Sequence, residues 1–227
     1  VGMKNSTVEE LHAFMKGYNR TLAAMGSYEG ISKISVQTGT SHGGVVLADG
    51  SIADVNLDLQ ALAALSLAAR ETYGLAGAVQ HGASTLPSSA FGNFPRIETA
   101  EIHLATNFQN IVFDHPRLPG EMRERLRAWV NENAAGERKG GDTDEQFYYK
   151  ARKKAIGPFK REVWSLPDDV RGLIAADLER TFAFLFDQLN VNGTENDINR
   201  FVHVPMQHHA ALRPALVSAE DDPDAGE

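Results

Sequence analysis

Two histidines, each followed by glycine, are the residues of this chain best placed to do chemistry. The short apolar run Gly74-Leu75-Ala76-Gly77-Ala78-Val79-Gln80 stops at His81, and Gly82, Ala83, Ser84 and Thr85 follow. Upstream, Ile34-Ser35-Val36-Gln37-Thr38-Gly39-Thr40-Ser41 runs into His42-Gly43-Gly44. Each reads as a buried strand presenting an imidazole at its C-terminal tip, then a loop whose backbone N–H groups can cradle an anion. Neutral imidazole is the commonest metal ligand, and a strand tip fixes its ring. His42 and His81 lie 39 residues apart, about one βα unit, so neighbouring strands can bring both rings to one metal ion. His103 stands mid-strand between Ile102 and Leu104, and the face it occupies decides whether it joins them. His115, before Pro116, reads as a loop residue, and His203, His208 and His209 as part of a solvated tail.

The elements that must position these residues follow from periodicity. Residues 6–25 read as a helix with a capping box at Ser6-x-x-Glu9 and apolar residues at three- and four-residue spacing. A strand over 31–38 and a Gly/Ser/Thr-rich loop to Gly50 come next. A long helix then runs from about Val55 to Thr72, capped by Asp54, closed by Gly74 and apolar nearly all round. The strand 75–80 completes a βαβ unit, so the two strands should be parallel with a right-handed crossover. A third strand is expected at Ala100–Ala105, after a segment punctuated by Pro87, Gly92 and Pro95 with room for a turn or two of helix. Helices follow over 118–134, 143–155 and 167–190, the last with Ser165 as candidate cap and Pro167 in its first turn. Between the first two lies a polar loop, Asn131–Asp142. Three domains result: 1–117 carrying the His-Gly loops, a helical part over 118–217, and an acidic, disordered tail over 218–227.

Composition narrows the function classes. The net charge of -8 leaves no basic surplus for nucleic acid. With no cysteine there is no disulfide framework, thiolate zinc site or cysteine nucleophile. No apolar run approaches the roughly 20 residues that span a bilayer, so a soluble cytoplasmic protein without a membrane partner is expected.

Taken in order, Ser41-His42-Gly43-Gly44, Val79-Gln80-His81-Gly82-Ala83-Ser84 and Ala100-Glu101-Ile102-His103-Leu104-Ala105-Thr106 resemble the second half of a class II, zinc-dependent ketose-bisphosphate aldolase. The resemblance covers about residues 1–190. It implies an α/β fold of the TIM (β/α)8 barrel family, this chain being the C-terminal part, about strands six to eight, plus a helical extension. By that resemblance His42 and His81 are zinc ligands. Gly43, Gly82, Ala83 and Ser84 hold the phosphate of a phosphorylated sugar and a monovalent cation, and Glu101, His103 and Thr106 contact substrate. The final motif departs from the family's Asn-Ile-Asp-Thr-Asp-Thr: Glu101, His103, Leu104 and Ala105 replace the Asn, Asp, Thr and Asp. No His-x-Asp-His motif occurs, so the resemblance places the third zinc ligand and the catalytic aspartate outside this chain, an N-terminally truncated piece. The expected activity is reversible aldol cleavage of a phosphorylated ketose in carbohydrate metabolism, by a homo-oligomer (a dimer) when full length. The alternative is a catalytically inactive sugar-phosphate- or metal-binding barrel homologue.

Overall fold

The computed structural model describes residues 4–41, 43–53 and 55–202, and the chain divides into a unit ending at Val191 and a second beginning at Asn192. The first unit is mixed α/β, mostly helical, around a three-stranded parallel sheet.

The chain enters through α1 (Val8–Met25). Its capping box lies one residue later than the sequence pattern suggests. Thr7 Oγ1 accepts the Glu10 N–H at 3.2 Å, and Glu10 Oε2 accepts the Thr7 N–H at 3.0 Å. Ser6 is not free to cap, because it holds the helix start to the first strand: its N–H donates to the Gln37 carbonyl at 2.7 Å and its Oγ accepts the Gln37 N–H at 3.0 Å.

Strands β1 (Ile34–Val36), β2 (Ala78–Gln80) and β3 (Glu101–Ile102) lie in the order β1-β2-β3, all parallel. The parallel βαβ unit is therefore as expected, but the strands are shorter, for local reasons. After β1 the Thr38 N–H turns to the Gln37 side chain, and the Thr38 carbonyl accepts the Asp58 N–H. Past β3, the His103 N–H still reaches the Gln80 carbonyl at 2.8 Å, but the Ala105 N–H donates to Ser84 Oγ at 3.1 Å and the chain turns into α4 (Thr106–Phe113).

The crossover helix α2 (Leu59–Tyr73) starts four residues after the expected Val55. Its cap is Asp58, whose Oδ1 accepts the Ala61 N–H at 2.9 Å; Asp54, the residue the sequence suggested, lies outside the described residues. Gly74 closes the helix in the left-handed conformation, as read. The buried stripe is Leu62, Leu65, Ser66 and Ala69, whereas Leu67 is exposed, so the helix is one-sided rather than apolar all round. Ser66 Oγ donates to the Glu98 carbonyl at 2.7 Å and accepts the Ala78 N–H at 3.2 Å, fastening the helix to β2. A Cβ at Gly77 would lie 2.8 Å from that oxygen, so glycine permits the close approach.

Side chains alternate across a strand, and here the two faces differ in chemistry. Ile34, Val36, Ala78, Ile102 and Leu104 pack into the apolar clusters beneath α2. The other face carries Ser35 of β1 with Lys33 just before the strand, Val79 of β2 with His81 just after it, and Glu101 of β3 with His103 just beyond it. Ser35, Val79 and Glu101 are in register.

The region after β3 is helical: α5 (Gly120–Asn133), α6 (Asp144–Ala151), α7 (Lys160–Trp164) and α8 (Asp168–Gln188). The single-turn helix α3 (Asn93–Arg96) fits the limited room expected there. Leu126, Val130, Phe147, Phe159 and Ile174 form the core of this part, while Leu185, near the far end of α8, joins the cluster under the sheet. Ser165 does not cap α8; its N–H closes α7, and Pro167 occupies the cap position. The polar loop begins later than Asn131, since α5 runs through Asn133. In the second unit the described residues form the helix Glu195–Phe201. The acidic tail and His203, His208 and His209 lie outside the described residues. Among the described residues no helix is long and apolar enough to cross a membrane.

Candidate functional site

His81 stands just beyond the tip of β2. Its position is set from below by Gln80, which is fully buried: Gln80 Oε1 accepts the Thr38 hydroxyl at 2.5 Å, and Nε2 donates to Thr40 Oγ1 at 2.7 Å and to the His81 carbonyl at 2.6 Å. Thr40 Oγ1 in turn donates to the His81 carbonyl at 2.7 Å. The backbone of the β2 tip is thereby locked to the β1 loop. The ring is held by Ser35, whose Oγ lies 3.0 Å from His81 Nε2.

The face question raised by His103 is answered by the strand register. His103 lies on the same face as His81, ring centroids 4.3 Å apart and planes tilted by 58°. Glu101, two residues earlier on that face, bonds His103 Nε2 through one carboxylate oxygen and Lys33 Nζ through the other. Those bonds, from His103 first and Lys33 second, hold the Glu101 carboxyl below the usual carboxylate range. The result is a continuous polar row, Ser35–His81–His103–Glu101–Lys33, on the open face of the sheet.

The loops above the row converge. Gly82 adopts φ +67°, and a Cβ there would meet the Ser41 carbonyl at 2.9 Å, so the His81 and His42 loops touch through a glycine. Ala83 is buried and opens a 3-10 turn, Ala83–Thr85. Ser84 Oγ ties that turn to the backbone of Ala105, directly before Thr106, the first residue of α4. Gly43 faces the Thr106 hydroxyl. Gly44, at φ +74°, packs so tightly on Thr85 and Ile52 that a Cβ would lie 2.7 Å from Ile52 Cγ2. His42 itself lies outside the described residues.

A cavity of about 210 Å³ opens beside these loops, lined by Gly43, Gly44, Thr106, Lys150, Arg152 and Lys153 among others. Arg152 is buried and fixed by Asp114 at 2.6 and 2.8 Å and by Asn110 at 2.6 Å. Sequence reading missed these three cations. Their only sequence signal is the basic cluster Lys150, Arg152, Lys153 and Lys154 within the helix read over 143–155. His115, expected simply in a loop, is 6% exposed: its Nδ1 accepts the Arg117 N–H at 3.2 Å and its Nε2 lies 3.5 Å from Asp177. It is a structural histidine away from the polar row.

For zinc, the donor chemistry is suitable. His81 is an imidazole at a rigid strand tip with a hydroxyl on its Nε2, and outer partners of that kind orient metal ligands. Among the described residues no group of three His, Cys, Asp or Glu is arranged to hold a metal ion. Thr85 Oγ1 is buried beside Gly44 with no hydrogen-bond partner among the described residues, an oxygen available to a cation. No protein-family model and no curated protein matches this chain.

Proposed function

We propose that this chain is the C-terminal part of a (β/α)8 barrel of class II aldolase type, and that it serves reversible aldol cleavage of a phosphorylated ketose. The observation that carries the reading is convergence. At the C-terminal ends of parallel strands, an imidazole pair, two glycine loops and a cavity with three cations meet within a few residues of each other, where α/β folds bind ligands.

Each group has a task in this reading. Zinc would be held by His81, His42 and a ligand from outside this chain; when bound it supplies a Lewis acid that polarises the ketose carbonyl. Backbone N–H groups at Gly43, Gly82 and Ala83, with the Ser84 hydroxyl, receive one phosphate. Lys153 adds positive charge beside the neighbouring cavity, whose other cations, Lys150 and Arg152, pair with Asp142 and Asp114; this suits a substrate carrying a second phosphate. Thr85 Oγ1 supports a monovalent cation at the Gly44 loop. The Glu101–His103 pair faces the sugar. A cytoplasmic protein that is a homodimer at full length completes the proposal, and exposed Trp164, Phe182 and Phe186 are apolar surface that a second copy would cover.

A coupled assay for triose phosphate release from fructose 1,6-bisphosphate and tagatose 1,6-bisphosphate tests the reading. Turnover that a chelator abolishes and zinc restores supports it. Zinc and sugar phosphate bound without turnover would favour the non-catalytic homologue, to which the changed 101–105 motif also points.

A further inference from the structure

We propose that the apolar cavity among α4, α5, α7 and α8 is a binding site for a medium-chain monocarboxylate, with the hydrocarbon chain inside and the carboxylate on Lys160. These residues take no part in the polar row or in the aldol reading.

The cavity measures about 300 Å³, and its walls are Phe108, Phe113, Leu126, Phe159, Trp164 and Leu178 with smaller apolar neighbours. Gln109 and Lys160 are the polar residues of its lining. Phe113, Leu126 and Phe159 belong to the buried helical core, so packing fixes the floor. Trp164 is 67% exposed and stands at the mouth. Small-molecule sites are of this kind, mostly apolar with a few placed polar groups. A water's share of liquid volume is about 30 Å³ and a methylene takes similar room, so the cavity holds on the order of ten chain atoms.

Lys160 is the charged residue of that lining, and its head group is available. Its Nζ lies 4.6 Å from the centroid of the Trp164 ring. Among the described residues it has no carboxylate within ion-pair distance. Glu162, two residues on, is held instead by Arg125 through both oxygens, at 2.7 and 2.8 Å. A long lysine lays its stem on apolar surface and keeps its ammonium in water, so a ligand chain can run inward while its head stays at the rim. One ammonium beside an almost wholly apolar cavity complements one carboxylate. A doubly charged head would find no second cation in the lining. A polypeptide segment would bring backbone polar groups that this lining, Gln109 apart, cannot satisfy.

Isothermal titration of the whole chain with sodium decanoate, kept below its micellar concentration, tests this. One site is expected, with Kd on the order of 10–100 μM and a blue shift of Trp164 emission that is absent in Trp164→Phe. Hexanoate should bind about 100-fold more weakly for its missing methylenes, and tetradecanoate no more tightly than decanoate, because the cavity is then full. Lys160→Ala should weaken decanoate about fivefold, as for an exposed ion pair, and leave 1-decanol unchanged. Val163→Phe, which fills the cavity, should abolish binding of both. The Lys160 variant changes no core residue, so it decides the matter even if Val163→Phe folds poorly. Affinity that keeps rising through tetradecanoate, decanoate binding unchanged in Lys160→Ala, or no binding by the parent would overturn the inference. Trp164 emission that shifts with protein concentration alone, and not with decanoate, would put a second copy over the mouth and overturn it too.

Discussion

His81 owes its position to Gln80, a residue with no chemistry of its own. Gln80 satisfies two threonine hydroxyls and the His81 carbonyl in a fully buried setting. Gln80→Leu keeps the volume but strips those partners, and should cost about 2–4 kcal/mol in urea unfolding, since each orphaned buried group costs about 1–3 kcal/mol. Lys153→Ala should raise KM for a doubly phosphorylated ketose about tenfold, as expected for one lost charge-assisted contact, with kcat little changed. Glu101 sets a pH dependence. Its folded pKa is lowered, so the stability it contributes is present above its unfolded value of about 4.3 and is lost as pH falls through the folded value. Glu101→Gln should therefore be less stable than the parent at pH 7, by under about 1 kcal/mol for so exposed a pair, and the gap should close as pH falls through the lowered folded value. His42 lies outside the described residues, but the His81-Gly82 tip of β2 was legible at this scale because strand, histidine and glycine are adjacent in sequence. The Lys33–Glu101–His103 row was not, since it depends on a register that joins residues 68 apart.

Among the elements, type was easier to read than boundary. The parallel βαβ unit, α1, α5 and α8 follow from periodicity. The caps shifted because tertiary contacts chose among similar residues: Ser6 was taken by Gln37, and Asp58, not Asp54, caps α2. Asp58 also accepts Asn5 Nδ2 at 2.8 Å, linking the entry of α1 to the start of α2. Asp58→Ala should lower stability by about 1–2 kcal/mol, and Asp58→Asn should recover most of it, read as midpoint shifts in urea. Helix α4 escaped sequence reading because it begins directly after the third strand, with no side-chain cap to announce it.

Among the described residues of the first unit, α2 packs on one face of the parallel sheet, and the opposite face carries the polar row. Parallel sheets are ordinarily covered on both, which fits the proposal of barrel strands supplied from elsewhere. Among the described residues β1 and β3 each pair only with β2, and large apolar side chains such as Leu173, Phe182 and Phe186 of α8 are exposed. This chain by itself should bind hydrophobic dyes and associate with rising concentration in sedimentation; a dye-negative monomer would count against that. The coarse α/β class was legible because βα alternation is local, whereas the cationic cavity was not, because it brings Gly43 against a helix more than a hundred residues later.

The central claim is that the His81 tip holds a metal. Zinc titration of the metal-free protein against a chromophoric chelator tests it most directly. For the full-length protein, which supplies the ligand outside this chain, the account predicts one zinc equivalent, with affinity reduced roughly 10–100-fold in Ser35→Ala, the outer partner of the ring, and further in His81→Ala. Zinc content and affinity unchanged in His81→Ala would contradict it.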